Sequence, residues 1–452
     1  MTQNMTSKSP LKLIISFCVP IMLGTLFQQF YSMADTIIVG RFVGVNALAG
    51  VGSTGAVNFL ILGFANGVCG GFAIMYGQRF GAADYSGMRR YIANAIYLTV
   101  FIALLLTPLT VIFCRDILMF MNTPAEIMDE AYQYIVIIFA GTAVLMMYNC
   151  AAAILRSIGD SRTPVLALII AAVINILLDL LFIVSFGMGV AGAALATVIA
   201  QGISGVICVF FMFRKYKVLR FKRSEWLVDF QKIRRLLAVG IPMALQFSIT
   251  AVGNMILQAA VNRLGAACVA AMVAGSRVFS FFGSGMESVG LTMSTYCSQN
   301  IGAKKFGRIR QGIRCAVLIE VAFSVFALIV LYLFGTKLAL LFVDSAQQEI
   351  MELIRVFLRI NSLFYILLGL LYVFRNSIQG MGYGALPMFS GVFELAGRCI
   401  VAFGLADKMG FTGVALANPI AWLGADLLLL GVYIYIRQNV LIHRRKLPPG
   451  IV

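Results

Sequence analysis

Apolar runs long enough to cross a bilayer recur from one end of the chain to the other, and nothing else in the sequence restricts the fold so strongly. Twelve are legible, at roughly 12–36, 46–77, 91–114, 131–155, 164–186, 190–213, 236–261, 268–299, 312–335, 353–377, 385–406 and 411–436. Each reaches the ~20 residues needed to span hydrocarbon as a helix. In lipid every backbone amide must be satisfied within the structure, so spans are helices or closed barrels, and barrel strands would alternate in short segments. The runs therefore predict an all-α polytopic membrane protein. Composition agrees: 61% of the 452 residues are hydrophobic and 12% charged, against about 25% charged in soluble domains. The first run is longer than a signal-peptide core and lacks a small-residue cleavage site, so it reads as a retained helix.

The net charge of +17 raises nucleic acid as a partner, but its placement answers otherwise. With twelve helices and both termini cytoplasmic, 26 of the 35 Lys and Arg fall on one side, at the N-terminus, 79–90, 156–162, 214–235, 304–314, Arg375 and the tail. This positive-inside pattern orients a multi-pass protein of the cell membrane. The stretch RKYKVLRFKRSEW is then an intracellular loop near anionic lipid headgroups, and no nucleic-acid partner is expected. The oligomeric state is not legible. Nine scattered cysteines form no C-x-x-C pair, and the one histidine, His443, lies in the basic tail. Metal clusters, disulfide frameworks and histidine-based nucleophilic catalysis are not expected; the chain reads as a non-enzyme without a cofactor.

The sequence resembles itself at a spacing near 221 residues. VPIML at 19 answers IPMAL at 241, GQRFGAADYSGMRR answers SQNIGAKKFGRIRQ, and GVAGAALA answers GFTGVALA. The expected organisation is a six-helix bundle at 1–213, a basic cytoplasmic linker at 214–235, a second six-helix bundle at 236–436 and a cytoplasmic tail at 437–452. An even number of crossings per half makes the repeat parallel, a plan found in secondary transporters with the substrate at the interface of the halves. Pro20 and Pro242 occupy matching places in the first and seventh helices, where a missing amide donor permits bending.

An ionised side chain in mid-membrane costs about 2.5–3.5 kcal/mol on insertion scales, so each one needs a partner, a watery cavity or a proton. The clear cases are Asp35, Asp179, Glu287, Glu394 and Asp426, with Arg277 and Arg398. Glu394 and Arg398, four apart, share a helical face and can neutralise one another. Asn175 and Asp179 share a face too, but an amide leaves the carboxyl without a fixed cation. Such a pair can exchange a proton or offer oxygens to a small hard cation. Asp35 aligns with Leu257, and Asp179 with Ile400 to Ala402, so the first half carries a private acidic pair. Gln28, Gln29, Asn58, Asn149, Gln201, Gln246, Asn254 and Gln258 fit a hydrated cavity or interhelical hydrogen bonds; Glu287, Glu394 and Arg398 are further cavity candidates.

The segments ADTIIVGRFVGVNALAGVG, GQRFGAAD with its echo SQNIGAKK, and NILLDLLFI, taken in order over nearly the whole chain, resemble bacterial multidrug and toxic compound extrusion (MATE) transporters. The resemblance implies two six-helix bundles in a V around a central cavity, with organic cations exported in exchange for protons or sodium. It also implies that Asp35, Asn175 and Asp179 form the coupling site. The seventh helix offers Gln246, Asn254 and Gln258 but no acid, which departs from relatives that use one there. A lipid-linked oligosaccharide flippase of the wider superfamily is the alternative; the excess of intramembrane acids over bases argues against its polyanionic cargo.

Overall fold

The structure, a computed structural model, describes residues 4–121, 123–340, 343 and 347–442. The tail beyond 442, with His443, lies outside the described residues. Among them there are helices and turns and no strands.

Ten helices are individually long and apolar enough to span. These are α1 (Pro10–Phe42), α2 (Asn46–Gly81), α3 (Tyr85–Ile112), α5 (Arg162–Ser185), α6 (Gly189–Lys215), α7 (Phe230–Arg263), α8 (Ala266–Gly302), α9 (Phe306–Ala339), α11 (Ala385–Ala415) and α12 (Ala417–Ile442). The other two expected runs are bent pairs that pass the same test together: α4 is Ala125–Ala140 plus Thr142–Ser157, and α10 is Gln348–Leu363 plus Tyr365–Gly380, each bent by 49°. A bend is invisible to hydropathy, because both arms are apolar. Arg277 sits within α8, as expected.

The duplication extends to backbone conformation. Left-handed residues recur 221 positions apart, at Gly44 and Gly265, Ala83 and Lys304, and Gly189 and Gly410. The α2–α3 and α8–α9 corners close with the same helix-ending hydrogen bonds: Asp84 N donates to Arg79 O at 3.0 Å, and Lys305 N to Asn300 O at 2.8 Å. Helices α5 and α11 both pass into a π-helical turn at corresponding points, Leu180–Ser185 and Val401–Leu405. Such turns are rare and frequently stand at functional sites; Asp179 is the last α-helical residue before the first.

Two compact units emerge, one built on Val19–Ala244 and one on Met5–Cys18 with Leu245 onward. The segment 214–235 folds with the first unit. Helices α1 and α7 each change unit along their length, between Cys18 and Val19 and between Ala244 and Leu245, beside Pro20 and Pro242. In the first unit, α2 meets the start of α7 through small residues: a Cβ on Gly71 would stand 2.5 Å from Gly240 Cα, and one on Gly67 2.6 Å from Ala244 Cα. Small residues let backbones approach where lipid supplies no hydrophobic drive. One core of this unit gathers Phe72, Tyr76, Tyr91, Leu155 and Leu236, and another gathers Val39, Ile135, Phe139 and Ile183. The second unit has a core of Leu257, Val261, Val401 and Val414.

Candidate functional site

Helix α1 turns one polar stripe into the first unit, and the i, i+4 spacing puts Tyr31 and Asp35 on it together. Both Asp35 and Asp179 are buried, Asp179 completely, and Asn175 is 1% exposed. Asp35 acts electrostatically on Asp179, and both act on the hydroxyls of Tyr31 and Tyr134. Gln201 donates to the Tyr31 hydroxyl at 3.4 Å, and the Gln28 side chain also bonds to it. Side chains from α1, α4, α5 and α6 thus converge. Tyr31 and Tyr134 were not among the expected site residues; the four-residue spacing of Tyr31 from Asp35 was the available signal.

Within this set, polar atoms go without protein partners. Both carboxylate oxygens of Asp179, Oδ1 of Asp35, the oxygen and nitrogen of the Asn175 amide and Oε1 of Gln201 are buried with no hydrogen bond. A buried unsatisfied carboxylate is costly, and native structures retain such groups where something else binds them. A proton satisfies one carboxyl. A small hard cation would be held by the same oxygens, which fit its chemistry. No group of three or more His, Cys, Asp or Glu that could hold a metal ion exists among the described residues.

The second unit answers with a different constellation. Arg375, placed at a helix end by the sequence pattern, lies inside α10 and is 7% exposed, because the helix continues past it to Gly380. Its guanidinium pairs with Glu394 and donates to Ser390 Oγ at 3.1 Å. Arg398 reaches the other oxygen of Glu394 at 3.4 Å, so the expected i, i+4 pair forms as part of a triad. The Gln246 amide lies 2.7 Å from that of Gln379 and, with its oxygen turned to Arg375, accepts at 3.1 and 3.2 Å. Asp426 is buried nearby within electrostatic reach of Arg375 and Glu394, its two oxygens unpartnered. Glu320 is fully buried and, like Glu287, acts on Tyr372.

Gln28, beside Tyr31, is exposed. The remaining candidates scatter: Asn254 is exposed, while Gln29, Asn58, Asn149, Gln258 and Glu287 are half-buried. Gln258 spends its amide on Asn262 of the same helix, at 2.9 Å. Outside the spans, Asp160 forms a node that the sequence did not single out. It accepts from the backbone of Arg162 and Thr163 at 3.1 and 3.0 Å, from the hydroxyls of Thr163 and Tyr216, and from Lys215 at 3.4 Å. Burial pushes its carboxyl up, but these donors outweigh it and hold the group below the usual aspartate range.

Comparison with known proteins gives two matches to the MatE family profile, over residues 20–181 and 242–404, one in each repeat. The chain is 27% identical, over 98% of its length and 97% of the other's, to "Probable multidrug resistance protein YoeA" of Bacillus subtilis (strain 168). It is 24% identical, over 90% of its length and 91% of the other's, to a Shewanella oneidensis protein named "FAD transporter". Among solved structures, "Reverse polarity of binding pocket suggests different function of a MOP superfamily transporter from Pyrococcus furiosus Vc1 (DSM3638)" matches with a TM-score of 0.89 at 21% identity, covering 99% of this chain and all of that one.

Proposed function

Since the chain belongs to the MatE family, a family of multi-pass membrane transporters, we propose that it is a secondary active antiporter exporting organic cations and xenobiotics across the cell membrane by alternating access, in exchange for protons or sodium, with both termini in the cytoplasm. The observation that carries this reading is the convergence of Asp35, Asn175 and Asp179 in one unit with their polar atoms largely unpartnered. Asp35 and Asp179 are the exchange groups, Asn175 the neutral oxygen donor, and Tyr31 with Gln201 the polar wall beside them. Coupling requires that the ion bind one conformation better than the other, since a ligand shifts an equilibrium only through differential affinity. The set stands on α1 and α5, the helices that carry Pro20 and a π-helical turn respectively. A change in either re-aims a carboxyl.

The test is proton release from proteoliposomes under an imposed pH gradient when a fluorescent organic cation is added. Coupled release is expected from the native chain and is expected to vanish in Asp35→Asn. Undiminished release in Asp35→Asn would sink the site; cation movement driven by a sodium gradient alone would keep the site and identify the ion. The second reading, a flippase for a lipid-linked oligosaccharide, draws on Arg375 and Arg398 in the second unit. Glu394 already engages both guanidinium groups and Asp426 stands by, so the balance there does not favour a polyanion.

A further inference from the structure

At the margin of the first unit, where α2 ends and α3 and α7 begin, a polar cavity of about 320 Å³ opens. Four cations line it, Arg79, Arg90, Lys232 and Arg235, against one acid, Asp84. Tyr91 makes the floor. It is 2% exposed, with Arg79 and Lys232 over its ring at 5.6 and 5.9 Å, and its hydroxyl accepts from Arg235 at 3.3 Å. Asp84 pairs with Arg79 at 3.3 Å, and Asp229 pairs with Lys232. Among the described residues neither Arg90 nor Arg235 forms an ion pair, so two guanidinium groups face the cavity uncompensated.

The chain just before Lys232 shows which anion belongs there. Trp226, Leu227, Val228 and Phe230 are 37, 71, 57 and 81% exposed. An exposed apolar strip at the end of a span, with one of only two tryptophans in the chain, is a membrane-interface anchor. The cavity therefore lies at headgroup level, beside a segment suited to lie in the acyl boundary. Basic pockets between spans take anionic headgroups, and a guanidinium fork matches two phosphate oxygens. The second repeat does not repeat it: the positions 221 further on are Asn300, Lys305, Gln311 and Gly312, so the floor tyrosine and both arginines of this set are gone and the acid is replaced by a lysine. The feature is not a by-product of the fold.

We propose that this cavity is a binding site for the phosphate of an anionic phospholipid headgroup, with Arg90 and Arg235 as its principal ligands, Tyr91 holding Arg235 in place, and Trp226 to Phe230 seating the same lipid's acyl region.

Native mass spectrometry of the full chain, released from membranes mixed from phosphatidylglycerol and phosphatidylcholine, tests it. R90Q and R90Q/R235Q would be compared with R220Q/R223Q, which removes equal charge from the same linker outside the cavity. Retention of phosphatidylglycerol is expected to fall about five-fold per guanidinium removed in the cavity variants and to hold in the control. R90Q alone changes an exposed side chain, so it stays informative if the double variant folds poorly. Equal loss in the control would overturn the proposal, since diffuse attraction to a basic face would then explain binding. Thermal stabilisation of the native chain by millimolar inorganic phosphate, without selective lipid retention, would also overturn it by assigning the cavity to a soluble anion.

Discussion

Asp179 shows how far single residues can be read. Its four-residue spacing from Asn175 predicts an amide beside a carboxyl with no cation near it, and the structure buries both with their polar atoms free of hydrogen-bond partners. What spacing could not supply was the third dimension: Tyr134 reaches the same carboxyls from a distant helix, and Arg375 joins Glu394 across 19 positions of sequence. That triad makes a strong prediction. Glu394→Gln removes the one carboxylate that bonds both buried guanidinium groups, leaving only Asp426 within electrostatic reach of Arg375, and breaking a buried pair this way costs about 3–5 kcal/mol. Thermal unfolding in detergent should show a large loss, and Glu394→Gln combined with Arg398→Met should recover part of it; an unshifted midpoint for Glu394→Gln would mean the triad contributes nothing. Asp160→Asn acts locally. It removes the charge of an acceptor shared by five donors, each hydrogen bond to it being worth about 1.5–3 kcal/mol in net terms, and is expected to loosen the start of α5, read as faster amide exchange at Thr163.

At the level of elements, the apolar runs located the twelve spans because length and hydropathy are what the bilayer selects. The 49° breaks in α4 and α10 and the paired π-helical turns leave no mark in the sequence pattern, since none changes the hydropathy of its run. Close helix approach is similarly written in single glycines. Gly71→Val puts a branched side chain where a Cβ would already lie 2.5 Å from the α7 backbone, so α2 and α7 must part. Overpacking of this kind costs about 1–3 kcal/mol or more. A lowered unfolding temperature is expected, with Gly55→Ala, whose Cβ meets open space, as the silent control. The linker adds a dependence on pH. Arg89 hydrogen-bonds both oxygens of Glu225 at 2.7 Å, and with the Lys222 amide and Ser86 it holds that carboxyl down at about 2. A depressed carboxyl stabilises the fold above its unfolded value, about 4.5, and the gain disappears as pH falls through the folded value. Docking of 217–226 should thus be pH-independent near neutrality and weaken between about 4.5 and 2. Amide exchange there, corrected for intrinsic rates, measures it; Glu225→Gln should remove the dependence.

For the molecule as a whole, the two repeats share a backbone plan but divide the chemistry. Left-handed corners and π-helical turns recur at a fixed offset and bent spans within two residues of it, while the largely unpartnered Asp35–Asn175–Asp179 set has no copy, and the second unit holds two arginines paired to one glutamate instead. Helices α1 and α7 are the elements that change unit along their length, each within two residues of its proline. If both prolines served only to bend a helix, replacing either would have the same effect. The proposed coupling site breaks that equivalence, because Asp35 rides on α1 four turns beyond Pro20, whereas the matching position on α7 is Leu257. Pro20→Ala, which restores an amide donor and straightens the preference of the helix, should therefore reduce substrate-driven ion movement more than Pro242→Ala does. Both would be read in proteoliposomes at equal protein density. Equal losses would show that bending matters to transport without acting through the acid on α1, and a larger loss from Pro242→Ala would move the coupling site to the second unit, where Asp426 becomes the carboxyl to replace next.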